Sequence, residues 1–327
     1  MRRVRWNRRA RQQGVALLVV MLIIVMMILI TSRLSNRLSV DIERVSQVQA
    51  QSDNWQRLLS GEALAVGVLR YDMERSTELS LAQDWASQHI QLPVSGGMLR
   101  GQIVDQRTCF NLNALAQPNN RGAQSMVQML FTRLLMIQGV SSSQARDIAA
   151  ATRDWVDSDQ DTISYGAEDR AYHDAHYRTS DAPLVSKSQW REVQGVSAEI
   201  YRNVSPLLCV LPSERLLIDI NTIQEAQAPL LEMLFYGYVN HHAALAVIRR
   251  RPHQGYQRVL QMMASPELAK VRLEQGVLRT MTTTSRYFLV KLQAQTEDGQ
   301  VSSLNSLVVR RGVSNMHVVR RTLGDWD

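Results

Sequence analysis

Sixteen consecutive residues, Val15 to Ile30 (VALLVVMLIIVMMILI), carry no polar side chain, and this run constrains the chain more than any other feature. A helix that crosses a bilayer needs about 20 mostly apolar residues. The run reaches that length by borrowing Thr31 and Ser32 and letting Arg33 snorkel to the interface. Arg2, Arg3, Arg5, Arg8, Arg9 and Arg11 precede it with no acid among them. The positive-inside rule therefore puts the N-terminus in the cytoplasm and the residues beyond about position 35 in the periplasm. These six arginines also explain most of the formal charge of +7; without them the rest of the chain stands at +1. The basicity thus belongs to a targeting segment and says little about partners of the body.

A cleaved secretory signal would show small residues after the apolar run, but Ile28, Leu29, Ile30 and Thr31 offer no such site. The break in pattern is Gly14, between the charged and apolar stretches. Beyond the run, Leu34, Leu38, Ile42, Val45 and Val48 recur at spacings of three and four. No proline appears before Pro93. One helix from 15 to about 76 is expected, although Gly61 and Gly67 each weaken it by about 1 kcal/mol. A short basic leader, a glycine and a continuous apolar stretch resemble the type IV pilin family. The resemblance implies that a prepilin peptidase cuts after Gly14 and that the new N-terminus, Val15, is methylated. It also implies a glutamate five residues after the cut, where this chain has Val19. A subunit with none ahead of it has no amine for that carboxylate to neutralise, so Val19 fits the leading position of a filament.

Residues 98–106, 287–295, 302–311 and 315–321 read as strands, with Asp298 and Gly299 as a hairpin turn. The stretch between the first and second of these reads as helical and as an insertion into one sheet. It holds a weak repeat: NLNAL at 111–115 and DINTI at 219–223 each precede an apolar helix, a break and an alanine-rich helix. The units resemble helix-hairpin-helix or SAM-like modules. Arg249, Arg250 and Arg251 could serve DNA, but a basic triplet at a helix end more often complements the dipole. Cys109 and Cys209 belong to no metal-type spacing, which leaves one disulfide, suited to an exported body, or two buried thiols.

Residues 154–181 hold eight acids against Arg170 and Arg178. So much like charge in one loop calls for a cation. Asp157, Asp159, Asp161 and Glu168 follow EF-hand positions 1, 3, 5 and 12, but Thr162 stands where that loop needs glycine. A non-EF calcium loop is expected, with Asp157, Asp159, Asp161, Glu168 and Asp169 around one or two ions; oxygen ligands argue against zinc despite His173 and His176. An acidic loop without metal is the alternative. No G-x-S-x-G or phosphate loop appears, and no enzymatic activity is expected.

The leader, Val19, NLNAL, DWVDSD, GAEDRAY and DINT, in this order, resemble the K-type minor pseudopilin family of the type II secretion system. That implies an α+β fold: a pilin-like long helix on a small antiparallel sheet, carrying a large inserted all-helical domain. The divisions are leader 1–14, transmembrane part 15–34, rest of the helix and first strand 35–106, insertion 107–284, and C-terminal strands 285–327. Expected partners are the I- and J-type minor pseudopilins, with the H-type and major pseudopilins, the prepilin peptidase and the inner membrane, and no nucleic acid. The expected role is to cap the pseudopilus tip and initiate its assembly for export of folded proteins. The other readings are a tip pilin of a type IV pilus or competence filament, and an anchored periplasmic nucleic-acid binder.

Overall fold

The computed structural model describes residues 13–87, 90–116, 125–312 and 315–324. The arginine-rich leader lies outside them up to Gln12. Gly14 and Val15 fall in the first turn of α1 (Gln13–Arg75), a single helix of 63 residues. The chain divides into two compact units at residues 56 and 57. In the first, Val15 to Ile30 are all helical and their large apolar side chains are exposed. Among the described residues this is the one helix long and apolar enough to cross a membrane. The Thr31 hydroxyl donates to the Met27 carbonyl at 2.8 Å, which satisfies it within the helix.

In the second unit, the end of α1 lies on a five-stranded sheet. β1 (Ile90–Val94) and β2 (Gly97–Asp105) form a hairpin at Gly96 and Gly97, both at positive φ. β1 is absent from the sequence reading because Pro93 interrupts a short run. The structure makes it an edge strand, where a missing N–H is tolerated. Leu58, Leu69 and Met73 of α1 are fully buried. A Cβ at Gly61 would sit 2.7 Å from Leu99 Cδ2, so the glycine that weakens the helix lets it approach the strands.

The insertion starts after Asp105. β3 (Phe110–Asn111) leads to α2 (Met126–Ile137), α3 (Ser142–Val156), α4 (Ala198–Val204) and β4 (Leu208–Cys209). The second half runs through β5 (Ile218–Asp219), α5 (Ala228–Leu234), α6 (His241–Arg249), α7 (Val259–Met263), α8 (Gln275–Leu278) and β6 (Met281–Thr282). Ser125, Ser141, Ser197 and Asn240 cap α2, α3, α4 and α6 by accepting backbone N–H bonds. The insertion is therefore mainly helical, but two parallel two-residue bridges, β3 with β4 and β5 with β6, close it. Its core includes Phe110 stacked on Phe131 at 4.9 Å, with Trp190 edge-on to Phe131 at 5.9 Å.

The chain then returns as β7 (Tyr287–Thr296), β8 (Val301–Arg310) and β9 (Met316–Leu323), giving the antiparallel order β1-β2-β7-β8-β9. Because Asp105 pairs with Phe288, the two ends of the insertion emerge side by side. The sheet can close across a long insertion without strain on either strand.

The internal repeat has a physical basis. Asn113 donates to the carbonyls of Leu184 and Leu211 and accepts from the Leu184 amide at 2.8 Å. Asn221, at the matching place of the second half, donates to the Tyr256 carbonyl at 2.9 Å and accepts from the Tyr256 amide at 2.7 Å. Each buried amide clamps a distant loop, a task that needs a donor and an acceptor on one side chain.

Candidate metal centre

The end of α3 is buried on every side from Ala149 to Val156, which forces Asp154 indoors with them. Asp157 caps the C-terminus of the same helix. Two acids at the negative end of a helix oppose its dipole. The loop then turns back so that Asp159 and Glu168 meet Asp157: one carboxylate oxygen from each lies within 4.8 Å of the others. Gly166 permits this return, since a Cβ there would run into Asp154 Oδ2.

The electrostatics of this cluster are unfavourable as they stand. Both Glu168 oxygens, Asp157 Oδ1 and Asp154 Oδ1 are buried without a hydrogen-bond partner among the described residues. Burial, then the charges of Asp154, Asp157 and Asp181, push the Glu168 carboxyl up to about 8. Burial and then Asp157 push Asp154 up to about 7; burial and then Asp159 push Asp157 up to about 6. Arg153 opposes the rise at Asp154 and Asp157. Convergent carboxylate oxygens lacking donors are what a hard divalent cation takes as ligands, and its charge would reverse these shifts. The residues fit calcium on that ground.

Of the five ligands expected from sequence, Asp157, Asp159 and Glu168 come together. Asp161 is exposed and its amide donates to Asp159 Oδ1 at 2.9 Å, an Asx-type turn that orients Asp159. Asp169 accepts from the Thr179 amide and hydroxyl at 3.0 and 2.8 Å, which ties the far end of the loop. Asp154, one of the loop's eight acids but outside the expected ligand set, is a buried neighbour of the cluster. Its spacing of three from Asp157, on a helix end, was the available signal. Asp181 raises both Asp157 and Glu168 from outside the linear motif, and no local spacing reveals it.

Cys109 and Cys209 form a disulfide with Cα atoms 5.7 Å apart, beside the β3–β4 bridge. The arginine triplet is engaged within the body. Arg249 makes a two-toothed pair with Glu225 at 2.8 and 2.9 Å, Arg250 pairs with Glu267 at 3.2 Å, and Arg251 donates to the Ile223 carbonyl at 2.6 Å.

A membrane-length helix continuing onto a small antiparallel sheet, with a mainly helical insertion, defines a membrane-anchored, pilin-like subunit. Residues 108–213 match the family model of type II secretion system protein K. The chain is 34% identical to a type II secretion system protein K of Aeromonas hydrophila, covering 96% of this chain and 98% of the relative. It is 32% identical to one of Pectobacterium carotovorum subsp. carotovorum, covering 97% and 98%. It also superposes with a TM-score of 0.79 and 29% identity on a chain of the crystal structure of the GspK-GspI-GspJ complex from enterotoxigenic Escherichia coli, over 86% of this chain and 99% of that one. The chain belongs to the type II secretion system protein K family and is a minor pseudopilin of that system.

Proposed function

We propose that this minor pseudopilin caps the tip of the periplasmic pseudopilus together with I- and J-type minor pseudopilins and initiates its assembly. The observation that carries the reading is the likeness to a chain solved within a GspK-GspI-GspJ complex, together with Val19 at the place of the pilin glutamate. An uncharged residue there removes the attraction to a preceding subunit's amine while keeping α1 apolar through the membrane. A prepilin peptidase would cut after Gly14, and α1 would anchor the chain in the inner membrane until it joins the filament with the major and H-type pseudopilins. The part is structural, with no catalytic role.

Asp157, Asp159 and Glu168 would hold a calcium ion, with Asp154 close by and Asp161 and Asp169 shaping the loop. The ion would supply positive charge that neutralises buried carboxylates and braces the loop. Reduction of the chain to a plain anchor is tested by mass spectrometry: a methylated Val15 is expected, and an intact Met1 contradicts the reading. Tip assembly is tested by co-expressing the tagged full chain with I- and J-type subunits. Recovery of all three together is expected, and recovery of the chain alone contradicts it. Loss of export of folded proteins in a deletion strain, with twitching and DNA uptake intact, separates this role from that of a type IV pilus or competence tip.

A further inference from the structure

Where β7 begins and β8 ends, the register sets Arg286 directly across from Arg310, and the Arg310 amide donates to the Arg286 carbonyl at 2.8 Å. Like charges directly opposite on an antiparallel pair weaken it. Arg310 is half-buried and held in place: its Nε donates to the Gly312 carbonyl at 2.9 Å, and its Nη1 lies 3.5 Å from the sulfur of Met73 near the end of α1. Sulfur is a weak acceptor and leaves the charge unneutralised. Arg286 and Arg311 are exposed, and none of these three arginines has an ion pair among the described residues. Burial and then the Arg286 charge push the Arg310 guanidinium down, with no acid among the described residues opposing them. Arg107 is the contrast: Arg286 acts on it too, but Asp105 and Asp219 neutralise it. The acids outside the described residues, Asp325 and Asp327, follow Gly324, at the opposite end of β9 from Met316, which pairs with Arg310. Eight strand residues span about 26 Å and three residues reach at most about 11 Å, so neither acid reaches the arginines.

We propose that Arg286 and Arg310 are a docking point for a carboxylate side chain of a neighbouring I- or J-type subunit, with Arg311 adding positive charge beside them. The inference rests on the tip reading and deepens it. Two guanidinium groups opposed across a strand pair offer several N–H donors to the two oxygens of one carboxylate. The negative charge turns a repelling pair into an attracting triad, so the repulsion is a feature of the free subunit that assembly removes. The exposure of Arg286 and Arg311 suits an acid presented by another protein surface rather than an ion sealed in a cavity.

The test is recovery of co-expressed I- and J-type subunits on the tagged full chain in detergent, with a melt of each variant alone. Arg286→Glu should lower the recovery by at least about ten-fold. Arg272→Glu makes the same change of charge at an exposed arginine of the insertion and should leave recovery unchanged. Arg286→Gln should also lower recovery, yet alone it should melt about 1 °C above wild type, because it relieves the cross-strand repulsion. Full recovery by Arg286→Glu, with wild type recovering both subunits, overturns this docking point and leaves the tip reading standing. Equal loss in Arg272→Glu assigns the effect to net charge and overturns it as well. An Arg286→Gln chain that melts below wild type makes Arg286 a support of the fold, which also overturns it. Wild type that recovers neither subunit overturns the tip reading and this inference together.

Discussion

Glu62 of α1 and Arg321 of β9, 259 positions apart, form a two-toothed ion pair at 2.7 and 2.8 Å on the helix side of the sheet. The Ser306 hydroxyl donates to the same carboxylate. Burial raises the Glu62 carboxyl, but these hydrogen bonds and the Arg321 charge together hold it below the ordinary glutamate range. The pair fastens the last strand to the helix that carries the membrane anchor.

Arg321→Ala leaves Glu62 buried with Ser306 as its remaining side-chain partner. A buried acceptor stripped of a partner costs about 1–3 kcal/mol, and the half-exposed arginine puts the loss toward the lower end. The stability given by the lowered pKa is present above the unfolded value and is lost as pH falls through the folded one. Urea unfolding of the full chain in detergent should therefore show a gap between wild type and variant at neutral pH that narrows in acid. A gap of constant size would contradict the ion-pair account.

A second buried pair has the opposite sign. Asp105 and Asp219 sit at the ends of β2 and β5, sealed from solvent. Asp105 accepts from the Thr222 hydroxyl at 2.5 Å and the Arg107 amide at 2.9 Å; Asp219 accepts from the Asn221 amide at 2.7 Å, and its Oδ2 is buried without a partner among the described residues. Burial raises both carboxyls, and Asp105 raises Asp219 further, against the opposing charges of Arg107 and Arg251. The folded state thus keeps a proton that the unfolded chain releases in the ordinary aspartate range. Stability from this pair is full below that range and is lost as pH rises through the raised values. Asp219→Asn should stabilise the protein at neutral pH by at least about 1 kcal/mol and flatten the profile above the aspartate range. An unflattened profile would clear the pair of this role.

The long helix and four of the five main strands were legible because their signals are periodic: threes and fours through α1, alternation through β7 and β8. β1 was not, since Pro93 hides a strand whose place is fixed only by its pairing with β2. The acidic loop announced its charge, but charge density could not tell which of its carboxylates converge. Asp161 and Asp169 share the motif with Glu168, yet Asp161 is exposed with its amide on Asp159 Oδ1, and the Asp169 carboxylate is taken up by Thr179. Asp154 is signalled only by its spacing of three from Asp157, and Asp181 depends on how the loop packs, which no local spacing encodes. The arginine triplet was ambiguous for a similar reason: Glu225 and Glu267 that neutralise it lie on other elements.

The disulfide joins residues separated by 100 positions, from the entry of the insertion to the end of its first half. Closing so long a loop limits the unfolded chain, with an upper value of about 4.7 kcal/mol on the chain-entropy account. Replacing both cysteines by alanine should lower unfolding stability by about 2–4 kcal/mol, and reductant should then have no further effect on the variant. A variant as stable as the oxidised wild type would mean the insertion is held by packing alone.

The acidic cluster offers a prediction in which one substitution moves two measurements in opposite directions. Glu168 is buried, both its oxygens lack a hydrogen-bond partner among the described residues, and burial and three acids raise its carboxyl against the opposing effect of Thr179. In chelator, Glu168→Gln removes a charge that the fold does not satisfy, so the variant should melt at a higher temperature than wild type. In calcium the order should reverse, because a ligand oxygen is gone and affinity should fall by at least about ten-fold. Wild type itself should gain about 2.7 kcal/mol at a calcium concentration one hundred times its Kd. Isothermal titration and thermal melts of the full chain in detergent, with EDTA or calcium, read both quantities. If EDTA leaves the wild-type melt unchanged, the cluster holds no ion that matters to the fold. If the variant loses stability in EDTA as well, Glu168 supports the loop by packing, and the electrostatic account of this site fails.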